Sequence, residues 1–200
     1  MLLQLALTVH PAQHEDQLPT DWSQDGRFLL YVRTDWAAEP RKRSTDLWRY
    51  DVSTGADAAV VSTPADEEEA AISPDGRWLA YTSNETGRLQ VFVRPFAGTT
   101  PRWQLSTEGG NMPQWRADSR QIAYITENRR IVGNAFSPDT GVHTGSPEVL
   151  FSHPGLRAYN LSRDFKRALV TIVPDDELAE PLTLVMNWAA DWENGRSAVR

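Results

Sequence analysis

The stretch Ile72-Ser-Pro-Asp-Gly-Arg-Trp-Leu-Ala-Tyr81 decides how the rest of the chain is read, because altered copies of it recur three times. The copies are Trp22-Ser-Gln-Asp-Gly-Arg-Phe-Leu-Leu-Tyr31, Trp115-Arg-Ala-Asp-Ser-Arg-Gln-Ile-Ala-Tyr124 and Leu161-Ser-Arg-Asp-Phe-Lys-Arg-Ala-Leu-Val170. The position after the Asp is Gly26, Gly76, Ser119 or Phe165, so successive copies are 50, 43 and 46 residues apart. The chain is therefore built from about four units of similar length.

Each unit reads as a strand, a tight turn and a second strand. In Ser73-Pro-Asp-Gly76 the proline presets φ, the Asp side chain bonds to the local backbone, and the glycine tolerates positive φ. Residues 77–82 then place largely apolar side chains on both sides, as expected for a strand between two neighbouring sheets. Further strands are predicted at 47–52, 90–96 and 131–136, and outer strands at 58–61, 102–105 and 148–151.

The repeat predicts an all-β protein. Four short strands in each unit of about 40 to 50 residues are typical of a β-propeller, here with about four four-stranded antiparallel blades. We expect a single domain over residues 1–200, with units at about 18–62, 69–106, 112–151 and 157–188. The acidic run at 66–71 has helical propensity but is too short to be a stable helix. Trp22, Trp78 and Trp115 fall at repeat positions, which predicts that they pack in the core.

Composition limits the classes of function. The 200 residues contain no cysteine, which excludes disulfides and thiolate chemistry, and the net charge of −7 argues against a nucleic-acid partner. No apolar run is long enough to span a membrane. The apolar segment at 2–9 lacks a basic flank and is predicted to be a strand rather than a signal peptide. Because the fourth unit shows no outer strand of its own, this segment is a candidate for closing the last blade.

Several quoted stretches resemble one known family. They are Ser73-Pro-Asp-Gly-Arg-Trp-Leu-Ala-Tyr-Thr-Ser-Asn-Glu-Thr-Gly87, Val91-Phe-Val-Arg-Pro-Phe96, Trp103-Gln-Leu-Ser-Thr-Glu-Gly-Gly110 and Gly145-Ser-Pro-Glu-Val-Leu-Phe151. Together they resemble the TolB-like propeller repeats, in particular those at the C-terminal end of many bacterial serine/threonine protein kinases. The resemblance implies a six-bladed ring, of which this chain would be the C-terminal two-thirds, on the cytoplasmic or periplasmic side of a bacterial cell. Ser119 and Phe165 replace the turn glycine, so we expect those two turns to be distorted.

No catalytic motif is found in the sequence. The Gly-rich loop, strand lysine and metal-binding Asp-Phe-Gly of a kinase are missing, and so is the Gly-x-Ser-x-Gly of a hydrolase. Arg163-Asp-Phe165 echoes a kinase motif but falls at the repeat's turn, where a structural role is predicted. His10, His14, His143 and His153 do not have metal-ligand spacing. We therefore expect no catalytic residue, no cofactor and no metal.

A candidate binding face remains. In a propeller the connections from each outer strand to the next inner strand emerge at one mouth of the central channel, and loops on a rigid scaffold often carry function. The face predicted there consists of His14, Glu15, Asp16, Glu67, Glu68, Glu69, Asn111, Arg157 and Tyr159. Its mostly negative charge suits a peptide or a basic partner segment, and the alternative is that these loops are simply solvated.

Three classes of function stay open from the sequence. The first is a non-enzymatic scaffold or sensor with a protein or peptide partner and the option of an edge-mediated oligomer. The second is the accessory propeller of an oligopeptidase-like hydrolase. The third is a propeller enzyme such as a lyase, whose acid–base residues would be drawn from His14, Glu68 and Tyr159.

Overall fold

A computed structural model describes residues 15–35, 44–98, 100–140, 142–173 and 183–186. All regular structure in these residues is β, arranged as four antiparallel sheets that each follow the order of the chain. Sheet 1 contains β1 (Glu15–Trp22), β2 (Phe28–Asp35), β3 (Thr45–Asp51) and β4 (Ala56–Val61). Sheet 2 contains β5 (Glu67–Ile72), β6 (Trp78–Ser83), β7 (Gln90–Pro95) and β8 (Trp103–Gln104).

The second half of the chain repeats this arrangement. Sheet 3 contains β9 (Asn111–Trp115), β10 (Gln121–Ile125), β11 (Arg130–Ser137) and β12 (Val142–Ser152). Sheet 4 contains β13 (Leu156–Leu161), β14 (Arg167–Ile172) and β15 (Thr183–Met186), with three strands in the described residues. The prediction of an all-β propeller is confirmed. The closing strand predicted at 2–9 lies outside the described residues.

One predicted connection is a strand. Glu67, Glu68 and Glu69 are predicted to lie in a connection between blades, whereas Glu67–Ile72 is the inner strand β5 and pairs with β6. The reason lies in its second half, where Ala70 and Ile72 are buried in the core between sheets 1 and 2. Burial of these two side chains fixes the backbone in a sheet, and the preceding glutamates follow as part of the same strand.

The hydrophobic core is divided into three clusters, one at each junction between successive sheets. Central strand β6 is buried along its whole length because its two faces serve two different clusters. Leu79 and Tyr81 pack toward sheet 1, whereas Trp78 and Ala80 pack toward sheet 3. The third cluster joins sheets 3 and 4 through residues such as Ile125 and Val170. This period-2 division is what the two-sided apolar pattern of the repeat predicted.

The repeated turns keep one conformation in all four units. Gly26 and Gly76 have φ of 73° and 72°, and Ser119 and Phe165 adopt φ of 58° and 59° at the equivalent position. The turn is closed each time by a backbone hydrogen bond, 2.8 Å from Gly76 N to Ser73 O and 2.9 Å from Ser119 N to Arg116 O. The expected distortion of the third and fourth turns is therefore wrong. Neighbouring contacts hold the two non-glycine residues there: Phe165 is buried in the third cluster and the Ser119 hydroxyl accepts a hydrogen bond from Asp75 N.

The Asp of each turn has a structural role. Asp164 accepts hydrogen bonds from the Ser162 hydroxyl at 2.6 Å and from Lys166 N at 3.0 Å. Asp25 and Asp75 bond in the same way to the serine two positions before them. These bonds lower the pKa of Asp164 because they favour its charged form. The structural interpretation of Arg163-Asp-Phe165 is confirmed.

Candidate functional site

The inner strands of the four sheets line a groove of about 520 Å³, here called the inner groove. Its walls combine apolar side chains with a few polar ones. The apolar part includes Leu18, Met112 and Trp115, of which Leu18 is 67% exposed. Asp21 and Asn160 contribute polar atoms. An open groove of this kind offers both hydrophobic contact and hydrogen bonds to a ligand.

Asp21 ties sheet 1 to sheet 2 across the inner groove. Its carboxylate accepts a 2.7 Å hydrogen bond from Ile72 N and a 2.8 Å bond from Trp22 N. Burial raises the pKa of Asp21, because the charged form loses hydration, and the two backbone bonds oppose this effect. The side chain thereby satisfies an amide at the edge of inner strand β5, which has no strand beside it in the sheet.

Gln114 performs the same task between sheets 3 and 4. Its amide oxygen accepts a 2.9 Å hydrogen bond from Leu161 N, and its amide nitrogen donates to the Tyr159 carbonyl at 3.1 Å. Gln114 and Asp21 occupy the same place in the repeat, immediately before Trp115 and Trp22. Between sheets 2 and 3 that place is Ala71, and the Trp115 indole donates to the Ala71 carbonyl at 3.0 Å instead. Neighbouring inner strands are thus joined by side-chain bonds at every junction.

Glu69 and Tyr159 meet at the backbone of Met112. A Glu69 carboxylate oxygen accepts a 2.6 Å hydrogen bond from Met112 N, and the Tyr159 hydroxyl donates a 2.6 Å bond to Met112 O. Glu69 and Met112 both have positive φ, 50° and 56°. Burial raises the pKa of the Tyr159 hydroxyl well above its ordinary value, and the charges of Glu69 and Tyr124 act in the same direction. Tyr159 is therefore a neutral hydrogen-bond donor that holds the backbone in place.

A smaller cavity of about 260 Å³ lies where the connections meet, and it is called the mouth cavity. It is lined by Leu89, Gly110, Asn111, Ile125, Thr126, Glu127, Arg129 and Arg157. Arg129 and Arg157 are exposed and positively charged, and Glu127 is the one carboxylate among the lining residues. The Asn111 side-chain oxygen is buried and has no hydrogen-bond partner in the described part of the chain. This cavity therefore favours an anionic group that also offers a donor.

The structure brings together only part of the predicted binding face. Asn111 and Arg157 share the mouth cavity, and Glu69 and Tyr159 share the Met112 backbone. Glu15 is described by its backbone in β1, Asp16 is exposed and lines neither cavity, and His14 lies outside the described residues.

Two members of that face are not available to a partner. Glu67 is fully buried at 0% exposure between sheets 1 and 2, and Tyr159 is 4% exposed. Glu68 is half-buried, and burial together with the charges of Glu69 and Asp66 raises its pKa. Glu67 and Tyr159 therefore do not offer exposed side chains to the predicted binding face. Strand β5 points Glu67 into the junction because it shares a face with Ser83, its partner on β6.

Sequence reasoning missed the residues that shape the two cavities. Asp21, Gln114 and Asn160 were not singled out, although a polar residue recurs there immediately before three of the four repeat copies. Arg129, which lies in the turn between β10 and β11 with φ of 59°, was not singled out either. Among the described residues no group of three His, Asp or Glu side chains could hold a metal, and no helix could cross a membrane.

Comparison with known proteins supports the fold. No protein-family model matches the chain. An uncharacterized protein of Agrobacterium fabrum is 23% identical over 136 residues, covering 65% of this chain and 44% of that protein. The crystal structure of TolB from Acinetobacter baumannii aligns with a TM-score of 0.63 at 19% identity, over 79% of this chain and 38% of TolB. The β-propeller domain of the Trilobed protease from Pyrococcus furiosus aligns with a TM-score of 0.54 at 17% identity, over 84% of this chain and 52% of that one.

These similarities establish a β-propeller fold like that of TolB and of peptidase propeller domains. The chain spans less than half the length of TolB and of the Agrobacterium protein that it resembles.

Proposed function

We propose that the chain is a non-enzymatic β-propeller module that binds an extended polypeptide segment in the inner groove. The observation that carries the proposal is the lining of this groove, which combines exposed Leu18 with the polar residues Asp21 and Asn160. The volume of about 520 Å³ lies within the range of protein ligand sites. In the described residues no strand of the same sheet covers the groove side of the inner strands, and an extended peptide can bond to those backbone groups there that no side chain already binds.

The same contacts argue against catalysis in the groove. The carboxylates of Asp21 and Glu69 accept backbone amides of neighbouring inner strands, and Tyr159 donates to a carbonyl. These groups already have hydrogen-bond partners within the protein. The acid–base residues predicted for a propeller enzyme include Tyr159 and Glu68. Glu68 is half-buried. Tyr159 is buried and already donates its hydroxyl proton to Met112 O, so a general-acid role for Tyr159 has no support.

The mouth cavity adds a preference for a negatively charged group on the bound segment. Arg129 and Arg157 outnumber Glu127, and the guanidinium group is suited to carboxylate recognition. We therefore propose that the bound segment places a carboxylate near these two arginines, which replaces the basic segment expected from the sequence.

Panning a displayed peptide library against the purified chain tests this function. Peptides that are enriched would be synthesised, and their binding would be measured by fluorescence anisotropy. Leu18→Asp is expected to weaken binding at least about tenfold, since it places a charge on the apolar wall of the groove. Val149→Asp is the matched control, because Val149 is 36% exposed and does not line the inner groove. Equal weakening by both variants, or no enriched peptide, would refute the proposal.

The resemblance of residues 72–115 to kinase-associated repeats supports a more specific origin. We propose that the module derives from the C-terminal part of such a propeller. Sequencing the DNA upstream of the reading frame tests this: a kinase reading frame there supports the origin, and an unrelated neighbour removes its support.

A second candidate is the accessory propeller of an oligopeptidase-like hydrolase. The structural similarity to the propeller domain of the Trilobed protease favours it. In that case the inner groove would admit peptides to a separate catalytic domain. A hydrolase reading frame beside this one, whose product binds the purified chain, would favour this candidate over the first.

A further inference from the structure

The two ends of the sheet array expose positions that are buried everywhere else. The second strand of each sheet (β2, β6, β10 or β14) has a forward face on the side of the next sheet and a rear face on the side of the preceding one. The forward position occupied by Leu30 in sheet 1 is Ala80 in sheet 2, Ala123 in sheet 3 and Leu169 in sheet 4. The first three are fully buried at 0% exposure, whereas Leu169 is 39% exposed. Val173, immediately after β14, is 46% exposed. No described sheet covers the forward face of sheet 4.

The rear face of sheet 1 likewise exposes a position that is buried in the other sheets. Trp22 opens the repeat in sheet 1, and its equivalents are Ile72, Trp115 and Leu161. Those three are 7%, 9% and 9% exposed because each packs against the preceding sheet, whereas Trp22 is 43% exposed. Within one molecule, the prediction that Trp22 packs in the core is therefore wrong. The same prediction is confirmed for Trp78 and Trp115.

The hydrogen bonds of the existing junctions show how these two faces would join. At the junction of sheets 2 and 3, the Trp115 indole donates to the Ala71 carbonyl, and at that of sheets 3 and 4, Gln114 accepts from Leu161 N. Asn160 is the equivalent of Ala71 and Gln114, and Trp22 is the equivalent of Trp115 and Leu161. A sheet-1 rear face on a sheet-4 forward face thus gives the Trp22 indole a carbonyl acceptor at Asn160, whereas Trp22 N, the equivalent of Leu161 N, already donates to Asp21.

We propose that a second copy of this chain covers the forward face of sheet 4 with the rear face of its sheet 1. The interface continues the construction of the three junctions within the chain, with Leu169 and Val173 packing near Trp22. It is head-to-tail, so each copy uses both of its ends, and two copies satisfy all four exposed faces if the ring closes. Eight sheets are then present, which is within the range of about four to eight blades found in closed propellers.

The oligomeric state of the full chain tests the proposal. Sedimentation and light scattering at micromolar concentration are expected to show a dimer for the unchanged chain and monomers for both Leu169→Asp and Trp22→Asp. Circular dichroism and urea midpoints establish that the variants are folded. Leu18→Asp is the matched control, since Leu18 is more exposed than Leu169 but lines the inner groove, and it is expected to remain dimeric.

Mixing the two monomeric variants gives the sharper result. The Leu169→Asp chain keeps an intact sheet-1 face and the Trp22→Asp chain keeps an intact sheet-4 face, so an equimolar mixture is expected to form a dimer through one complete interface. A mixture that stays monomeric while the unchanged chain is dimeric means that the interface is not head-to-tail. A monomeric unchanged chain means that a second copy does not cover the face. Either result overturns the proposal, and neither depends on peptide binding in the inner groove.

Discussion

The Tyr159 hydroxyl donates a 2.6 Å hydrogen bond to the carbonyl oxygen of Met112, a residue 47 positions away on the inner strand of the preceding sheet. Tyr159 is buried, and the bond joins sheets 3 and 4 at the level of the inner groove. The contact fixes the backbone that also receives Glu69, so the three residues form one connection between sheets 2, 3 and 4.

Tyr159→Phe removes this bond and leaves a buried carbonyl without its donor. We expect a loss of about 1 to 2 kcal/mol in the free energy of unfolding, measured by urea denaturation. The ring stays in place, so the far-ultraviolet spectrum should not change. A loss below about 0.5 kcal/mol would mean that water or another group replaces the hydroxyl.

Substitution of Gly76 is expected to lower the stability of the fold for a conformational reason alone. Its φ is 72°, and a Cβ built there meets no atom within 4 Å, so crowding does not contribute. Gly76→Ala should cost about 1 kcal/mol, and Gly76→Val about 1 to 3 kcal/mol. Gly76→Asn is the matched control, since asparagine adopts the left-handed conformation more readily. If Asn and Val destabilise equally in urea melts, positive φ is not the cause.

Glu67→Gln is expected to change how stability depends on pH. Burial raises the pKa of Glu67 above its ordinary 4.5, with hydrogen bonds from Thr63 and Ser83 opposing this, and the second carboxylate oxygen has no partner among the described residues. A raised folded-state pKa favours folding below the unfolded pKa, and that contribution is lost as pH rises through the folded pKa. The urea midpoint of the variant should therefore exceed that of the unchanged chain at pH 7 and lose this advantage near pH 4.

Asp51→Asn provides the opposite sign in the same experiment. The Arg27 guanidinium, 2.9 Å away, and the Ser53 hydroxyl lower the pKa of the Asp51 carboxyl. Its contribution is present at neutral pH and lost as pH falls through the folded pKa. The variant should thus be less stable at pH 7 and equal to the unchanged chain at low pH. Parallel pH profiles for the two variants would contradict both assignments.

Deletion of residues 1–10 tests the predicted outer strand at 2–9. Sheet 4 has three strands in the described residues, so the edge of β15 would receive this strand. We expect the deletion variant to lose stability or aggregate, because an open strand edge promotes association. An unchanged melting temperature without aggregation would rule out a closing role.

The repeat made the fold predictable, because its signals are local. The turn at Pro74, Asp75 and Gly76 is specified by these residues themselves. The two apolar faces of β6 predict that a sheet packs on each side of it. The site was less predictable, because its contacts join residues more than 40 positions apart. Nothing near Tyr159 in the sequence indicates that its hydroxyl bonds to Met112, and the acidic run at Glu67 has a composition that suits a loop.

The side-chain bond between neighbouring inner strands has a consequence for how such chains evolve. Asp21 in sheet 1 and Gln114 in sheet 3 each accept a hydrogen bond from the amide of the last residue of the next inner strand, Ile72 or Leu161. In sheet 2 the equivalent residue is Ala71, and its carbonyl accepts from the Trp115 indole instead. A duplicated or deleted unit of this kind brings both halves of its connector with it. Copy number can therefore change by whole repeats without new kinds of contact having to arise between neighbouring sheets.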